Sequence, residues 1–141
     1  MSVSILVVDD EPDVPELFRQ RFRREARQGT YVLHFAASGE EALAKLAVES
    51  PAVVVTDQRM PGLSGTELLA ELRERSPDTV RVILTAFADP GSMLDAINRA
   101  DASRYIVKPW SPSEMGAVLD GAIESFRHQR ALRELQLKLL E

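Results

Sequence analysis

The sequence predicts an α/β fold in which helices cover both faces of a parallel sheet. Five short runs rich in β-branched residues alternate along the chain with amphipathic stretches, and three of these runs are almost continuously apolar. Continuous apolar runs are typical of strands buried on both faces, and strict alternation of strand and helix implies parallel strands with right-handed crossovers. The predicted strands are Val3–Val8, Tyr31–Phe35, Ala52–Thr56, Val80–Leu84 and Arg104–Val107.

The composition is that of one ordinary globular domain. The chain has 141 residues, of which 45% are apolar and 28% charged, and its net charge of −5 argues against binding to nucleic acid or an anionic membrane through bulk charge. The absence of cysteine excludes disulfides and thiolate metal sites. Because the sequence has neither a membrane-length apolar run nor a secretory signal pattern, we expect a cytoplasmic protein.

Each amphipathic stretch opens with a pattern that favours the start of a helix. Three stretches have the spacing of a capping box, in which two side chains bond each other's backbone N–H groups. Two others place a capping residue before a proline at the first helical position. The five signals are Asp13 with Glu16, Ser38 with Glu41, Ser64 with Glu67, Asp89-Pro90 and Ser111-Pro112.

Apolar residues spaced three and four apart predict which face of a helix is buried. The first helix has a clear stripe of this kind, and the fourth helix has a weaker one. The first stripe consists of Val14, Leu17, Phe18 and Phe22, and the weaker one of Met93, Leu94 and Ile97.

One long helix is predicted from about Pro112 to the end of the chain. Beyond His128, Leu132, Leu135 and Leu139 keep a 3–4 spacing over barely two heptads, which supports either a linker or a dimer stalk. We assign residues 1–126 to the domain and residues 127–141 to a helical or coiled-coil extension. The apolar residues that can dock the first half on the sheet are Met115, Val118, Leu119, Ala122, Ile123 and Phe126.

Polar side chains follow four of the five predicted strands. Because the carboxyl ends of parallel strands lie at one edge of a sheet, we expect these side chains to converge. Taken singly, each has a simpler explanation as a helix start, a turn residue or a surface residue, but the agreement of four strand ends favours a shared site. They are Asp9, Asp10 and Glu11 after the first strand, Asp57 after the third, Thr85 after the fourth and Lys108 after the fifth.

The chemistry of this edge points to a metal ion and a phosphoryl group. Converging carboxylates repel one another unless a cation is present, and ligands that are all oxygen favour Mg²⁺. Lys108 and the Thr85 hydroxyl would then contact the remaining phosphoryl oxygens. Asp57 stands alone at the end of the most buried strand, so it is the best candidate for a nucleophile that becomes an aspartyl phosphate.

Four segments closely resemble the receiver domain of two-component response regulators. They are ILVVDDEPD, VVVTDQRMPGLSG, VILTA and YIVKPW, in the order and spacing of that family, over about residues 1–126. The resemblance implies a flavodoxin-like sheet of strand order 2-1-3-4-5, as in chemotaxis receivers. The Lys-Pro-Trp ending resembles receivers attached to larger output modules, so we expect the N-terminal part of a larger regulator.

The resemblance also assigns roles to the metal-site residues. Asp57 resembles the phosphoacceptor, Asp10 the direct Mg²⁺ ligand and Asp9 the residue that acts largely through water. The backbone carbonyl of Arg59 matches the third protein ligand. The cofactor implied is therefore Mg²⁺.

Three further positions match residues that respond to phosphorylation in the family. Lys108 would pair with the phosphoryl group, and the Lys108–Pro109 peptide bond is expected to be cis. Thr85 and Tyr105 resemble the switch pair, in which the hydroxyl moves toward the phosphate and the aromatic ring turns inward. A new local charge would thus bias an element that already has two arrangements.

Three other features bear on possible partners. The first helix carries five arginines: Arg19, Arg21, Arg23, Arg24 and Arg27. They favour a solvated basic face, with docking of a histidine kinase as the second interpretation. Trp110 is expected to anchor packing or an interface. Acidic residues on the last helix (Glu114, Asp120 and Glu124) disfavour the dimer of winged-helix regulators, and we expect no direct contact with nucleic acid.

Taken together, the sequence predicts a switch that accepts a phosphoryl group from a sensor histidine kinase or phosphotransfer protein and catalyses only its own modification. A metal-dependent phosphatase is one alternative, but no candidate general acid or base lies at the edge and no Gly-rich phosphate loop is present. A phosphorylation-independent dimerisation module is the other alternative. This alternative is disfavoured because every residue expected to bind the metal ion or the phosphoryl group is present in the sequence.

Slow dephosphorylation is predicted from two bulky residues, Arg59 and Phe87, which lie two positions past Asp57 and Thr85. Both side chains can shield an acyl phosphate from water, whereas Ala86 leaves room for the phosphoryl group. The double variant Arg59→Asn with Phe87→Glu should therefore lose labelled phosphate faster than the wild type once the donor is removed. An unchanged rate of loss would contradict the shielding.

Overall fold

The computed structural model describes residues 2–86, 91, 94, 97–98 and 102–140. Its five strands form one parallel sheet in the order β2-β1-β3-β4-β5, which confirms the doubly wound α/β fold and the strand order implied by the resemblance. The strands are β1 (Val3–Val8), β2 (Tyr31–Ala36), β3 (Val53–Asp57), β4 (Val80–Ala86) and β5 (Arg104–Lys108).

Strand β1 has the predicted bounds, whereas the other four strands extend one or two residues further toward the functional edge than the sequence indicated. Asp57 pairs with Leu84, and Ala86 pairs with Lys108, so the ladder hydrogen bonds continue through the polar residues themselves. The backbones of Asp57, Thr85 and Lys108 are therefore held by the sheet rather than by loops.

The described helices are α1 (Val14–Arg21), α2 (Arg23–Arg27), α3 (Gly39–Leu46), α4 (Gly65–Arg75) and α5 (Pro112–Leu139). The first predicted helix is thus divided at Phe22, whose φ and ψ of −109° and 24° are not helical. Between β4 and β5, Gly91, Leu94, Ile97 and Asn98 are helical, while the predicted Asp89-Pro90 start and Met93 lie outside the described residues.

Two of the predicted capping boxes form differently from the prediction. Ser64 and Glu67 make the complete box at the start of α4. The Ser38 hydroxyl accepts from the Glu41 N–H, but the Glu41 carboxylate accepts from the Ala37 N–H instead of closing the box. Asp13 makes no side-chain cap, because its own backbone is helical and the chain turns one step earlier through a bond from the Val14 N–H to the Glu11 carbonyl.

A hydrophobic cluster covers each face of the sheet. On one face, here called the α1/α5 face, α1 and α5 pack on the odd-numbered residues of β3, and on the other, the α3/α4 face, α3 and α4 pack on Val54 and Ile83. Val14, Phe18 and Phe22 are buried as predicted. Leu17 and Leu94 are 48% and 59% exposed, so the prediction that they are buried is wrong.

The position of Leu17 has a simple geometric cause. Helix α1 has only eight residues, and its buried side is already filled by Val14 and Phe18. Leu17 instead lines a groove beside Lys108 and Trp110.

Helix α5 is fixed to the domain by polar contacts as well as apolar ones. The Tyr31 hydroxyl donates to the Asp120 carboxylate across 2.5 Å, and the Arg21 side chain donates to the Pro112 carbonyl across 2.7 Å. The Arg21 guanidinium lies so close to Gly116 that a Cβ there would meet it at 1.9 Å. Arg21 is therefore a packing residue, which corrects its assignment to a solvated face.

The last part of α5 extends beyond the predicted domain boundary at residue 126, and an ion pair links it back to the rest of the chain. Leu132, Leu135 and Leu139 are exposed, while the Arg133 guanidinium lies 2.6 Å from the Asp78 carboxylate in the loop before β4. Within the part of the chain that the structure describes, no helix is long and apolar enough to cross a membrane.

The contact between Tyr31 and Asp120 should contribute measurably to stability. Tyr31 is buried, and burial, followed by the hydrogen bond to Asp120, raises the pKa of its hydroxyl. We expect Tyr31→Phe to lower the free energy of unfolding by about 1 kcal/mol, less than usual for a bond to a charged group because Asp120 is exposed. Urea unfolding measures this change. Tyr105→Phe, at the half-exposed tyrosine, is the matched control, and an equal loss in both variants would contradict the assignment.

Candidate functional site

Three carboxylates converge at the carboxyl ends of β1 and β3. One oxygen of each of Asp9, Asp10 and Asp57 lies within 4.8 Å of the others. Asp9 and Asp57 are only 4% and 8% exposed, whereas Asp10 is exposed. The structure therefore brings these three predicted residues together in a half-open acidic pocket.

Lys108 joins the same cluster from the end of β5. Its ammonium nitrogen lies 3.1 Å from Asp9 Oδ2, 3.3 Å from Glu11 Oε1 and 3.4 Å from Asp57 Oδ1. One cation thus faces three carboxylates, two of which are almost buried. The peptide bond between Lys108 and Pro109 is cis, as the resemblance implies.

The shared charge environment shifts two ionisation equilibria. Burial, reinforced by the negative charge of Asp9, raises the pKa of the Asp57 carboxyl, and the opposing attraction of Lys108 only partly offsets this. Burial by itself lowers the pKa of Lys108, but the hydrogen bond to Asp9 and the charges of Asp57 and Asp9 outweigh it and raise that pKa. The cluster therefore has an excess of negative charge that an added cation would relieve.

Thr85 and Tyr105 lie apart from this cluster. Thr85 is almost completely buried, and its hydroxyl donates to Gln58 Oε1 across 2.7 Å. Tyr105 is 48% exposed, with its ring on the surface. Alternation along β4 and β5 places both residues on the α3/α4 face of the sheet, together with Ile83.

Gln58 is the residue that the sequence analysis missed. It follows Asp57 directly and so lies opposite Thr85 when the register of β3 and β4 is continued by one residue. The sequence did contain a sign of this contact. Gln58 has an amide side chain, directly follows the candidate nucleophile Asp57, and lies at a strand end like Thr85.

The loop between β3 and α4 is held tightly around Asp57. Gly62 adopts a φ of 76°, and the next residue, Leu63, donates its backbone N–H to Glu40 Oε1 across 2.8 Å, which lowers the pKa of Glu40. At Gly65 a Cβ would lie 1.9 Å from the Asp57 carbonyl oxygen, so only glycine allows α4 to begin this close to the strand end.

Arg59, within the same loop, is exposed two residues past Asp57, and Ala86 is exposed at the end of β4. Phe87, which is expected to shield the acyl phosphate together with Arg59, lies outside the described residues. The role of the Arg59 carbonyl as a metal ligand and the shielding therefore stay predictions.

A groove beside the carboxylate cluster is bounded by Trp110. The Trp110 ring packs edge-on against Phe18, with 5.9 Å between ring centroids, as expected for a packing anchor. Leu17 and Pro112 line the same groove, which has a volume of about 810 Å³ and reaches Lys108.

The fold and this cluster define a receiver domain, and comparison with known proteins identifies the family. Residues 5–120 match the family model of the response regulator receiver domain, so the chain belongs to that family. The match begins in β1 and ends within α5, and it includes every carboxylate of the cluster and Lys108.

Individual relatives agree with this family. The hydrogenase transcriptional regulatory protein HoxA of Cupriavidus necator is 35% identical over 136 residues, which cover 96% of this chain and 27% of that protein. The DNA-binding transcriptional regulator NtrC of Salmonella typhimurium is 31% identical over 133 residues, covering 94% and 27%. The crystal structure of NtrX from Brucella abortus has a TM-score of 0.83 at 28% identity, covering 96% and 30%. The chain thus spans about a quarter of the length of these curated relatives.

The raised pKa of Asp57 predicts how pH affects stability without metal. Above the ordinary carboxyl pKa of 3.8 and up to the raised value, the folded domain holds a proton that the unfolded chain has released. The free energy of unfolding should therefore fall as pH rises through this interval. Asp57→Asn should remove that fall and be more stable than the wild type at neutral pH. Urea unfolding in EDTA across the interval measures both effects.

Asp13→Asn is the matched control, because Asp13 is exposed and makes no side-chain cap. It should keep the decline with pH. A wild type and an Asp57→Asn variant with the same pH profile would show that Asp57 does not titrate abnormally.

Proposed function

We propose that this domain is a phosphorylation-activated switch. It accepts a phosphoryl group on Asp57 from a phosphohistidine of a sensor histidine kinase or phosphotransfer protein, and it relays the change to an output domain. The observation that carries the proposal is the placement of Asp57: an almost buried carboxylate at a strand end, 3.4 Å from an ammonium and close to two further carboxylates.

The donor set fits Mg²⁺. Asp9, Asp10 and Asp57 supply only oxygen atoms and an excess of negative charge, and the Arg59 carbonyl is the fourth candidate ligand. When bound, the ion would neutralise the carboxylates and the phosphoryl oxygens that approach them. Asp10, which is exposed, would be the direct ligand, and Asp9 would act largely through water.

For phosphoryl transfer, the domain mainly has to position the reacting groups. An Asp57 carboxylate oxygen attacks phosphorus, the phosphorus–nitrogen bond of the phosphohistidine breaks, and its electron pair returns to the imidazole. Lys108, which lies beside Asp57 Oδ1, would move to a phosphoryl oxygen and offset the added charge. Because the ionised carboxylate is already nucleophilic, no general base is needed.

The response would pass through Thr85 and Tyr105. The hydroxyl of Thr85 would donate to the phosphoryl group, and the half-exposed Tyr105 ring would turn into the space that the hydroxyl leaves. In the structure the hydroxyl is bonded to Gln58 and the ring is exposed, which is the arrangement expected before phosphorylation.

The relatives suggest the setting in which the switch works. HoxA and NtrC are named as transcriptional regulators, and this chain covers 27% of each, which supports an output module beyond the receiver. A cytoplasmic location is part of the proposal. The exposed leucines of α5 would supply a surface for a homodimer. The receiver itself would contact neither nucleic acid nor a membrane. It would catalyse only its own modification and turn over no external substrate.

The decisive experiment is intact mass spectrometry after incubation with acetyl phosphate, in Mg²⁺ or in EDTA. We expect a single phosphoryl adduct that requires Mg²⁺, is lost in Asp57→Ala and is kept in the control Asp13→Ala. Light scattering on the same samples tests the dimer.

The contrary outcomes are distinct. No adduct on folded wild type would indicate a phosphorylation-independent scaffold, and an adduct retained in Asp57→Ala would indicate another acceptor. Steady release of p-nitrophenol from p-nitrophenyl phosphate would indicate a phosphatase.

A further inference from the structure

Gln58 and Thr85 form a partly buried contact beside the candidate phosphorylation site. Thr85 is 1% exposed and donates its hydroxyl to Gln58 Oε1 across 2.7 Å. The backbone of Gln58 is fixed on both sides, since its N–H donates to the Leu84 carbonyl across 2.9 Å and its carbonyl accepts from the Gly65 N–H across 3.1 Å. The amide is therefore presented to Thr85 by a rigid frame.

This contact competes with the response proposed for Thr85. A hydroxyl carries one proton and donates one full hydrogen bond at a time. While that proton is donated to Gln58, it is not available to a phosphoryl oxygen on Asp57. The Ala86 carbonyl, at 3.2 Å, is a longer and weaker second acceptor.

We propose that Gln58 is a positioning residue that holds the Thr85 hydroxyl in the unphosphorylated arrangement and so sets the affinity of the domain for a phosphoryl group. The inference rests on the proposed function and adds a restraint to it. A ligand that requires the released hydroxyl binds in proportion to the fraction of molecules in which the contact is already broken. Removing the acceptor raises that fraction.

Gln58→Met tests the restraint directly. Methionine keeps the length and the unbranched shape of glutamine but removes the amide acceptor. The probe is beryllium fluoride with Mg²⁺, a tetrahedral mimic of the phosphoryl group. One net hydrogen bond corresponds to a change of about 2- to 10-fold, so Gln58→Met should bind beryllium fluoride tighter by about that factor.

Trp110 provides the readout of binding. It is the single tryptophan of the chain and lies two residues past Lys108, which contacts Asp57. A fluorescence titration, checked by calorimetry, gives the affinity. Urea unfolding verifies that each variant is folded, and Gln58→Leu, which also lacks the acceptor, replaces Gln58→Met if the methionine variant does not fold.

Two backgrounds separate positioning from a merely structural role. In Thr85→Val, which lacks the hydroxyl, adding Gln58→Met should leave the affinity unchanged. In Thr85→Ser, which keeps the hydroxyl, the same substitution should again tighten binding. A purely structural effect of Gln58 would be equal in the two backgrounds.

The outcomes distinguish the inference from the function on which it rests. A folded wild type that does not bind beryllium fluoride would overturn the proposed function. Binding by the wild type, with no gain in Gln58→Met or with the same gain in the Thr85→Val background, would overturn the role of Gln58 alone.

Discussion

The repulsion between carboxylates at one edge of the sheet is the constraint on which the site depends. Asp9 and Asp57 are nearly buried side by side, Asp10 completes the group, and Lys108 supplies positive charge from within it. Such a group persists only where the backbone cannot relax. Strand β3 is buried along its whole length and is paired on both sides, so the core holds Asp57 in an environment that disfavours its charge.

Two helices hold the backbone around Asp57 in place. Helix α4 begins in contact with the Asp57 carbonyl, because Gly65 lacks a Cβ. Glu40 at the start of α3 accepts from the Leu63 N–H and so holds the loop between β3 and α4. Both contacts restrict the loop that carries Arg59, and the candidate ligand is therefore positioned by two helices rather than by local turn residues alone.

Much of the fold and the carboxylate cluster could be predicted, because both follow from local patterns. Apolar runs and β–α alternation define the sheet, and polarity at strand ends identifies Asp9, Asp57 and Lys108 without knowledge of any contact. The failures concern partners distant in sequence. The burial of Leu17 depends on what covers a short helix, and the function of Asp120 depends on Tyr31, 89 residues away. Gln58 was missed because its significance lies in the neighbouring strand rather than in its own segment.

In the proposed switch, the alternation of side chains along β3 would also divide the response between the two faces of the sheet. Val55 belongs to the α1/α5 face and Val54 to the α3/α4 face, so Asp57 and Gln58, which continue these two series, diverge in the same way. In the proposed switch, a charge added to Asp57 would act first on Lys108, which is followed by the short segment that leads through Trp110 into α5. The same charge reaches the α3/α4 face only if Thr85 changes its hydrogen bond. Because Gln58 accepts that bond, phosphorylation of the proposed acceptor Asp57 would have a direct electrostatic effect on the α5 side and a conditional effect on the Tyr105 side. Gln58 would set the difference between the two.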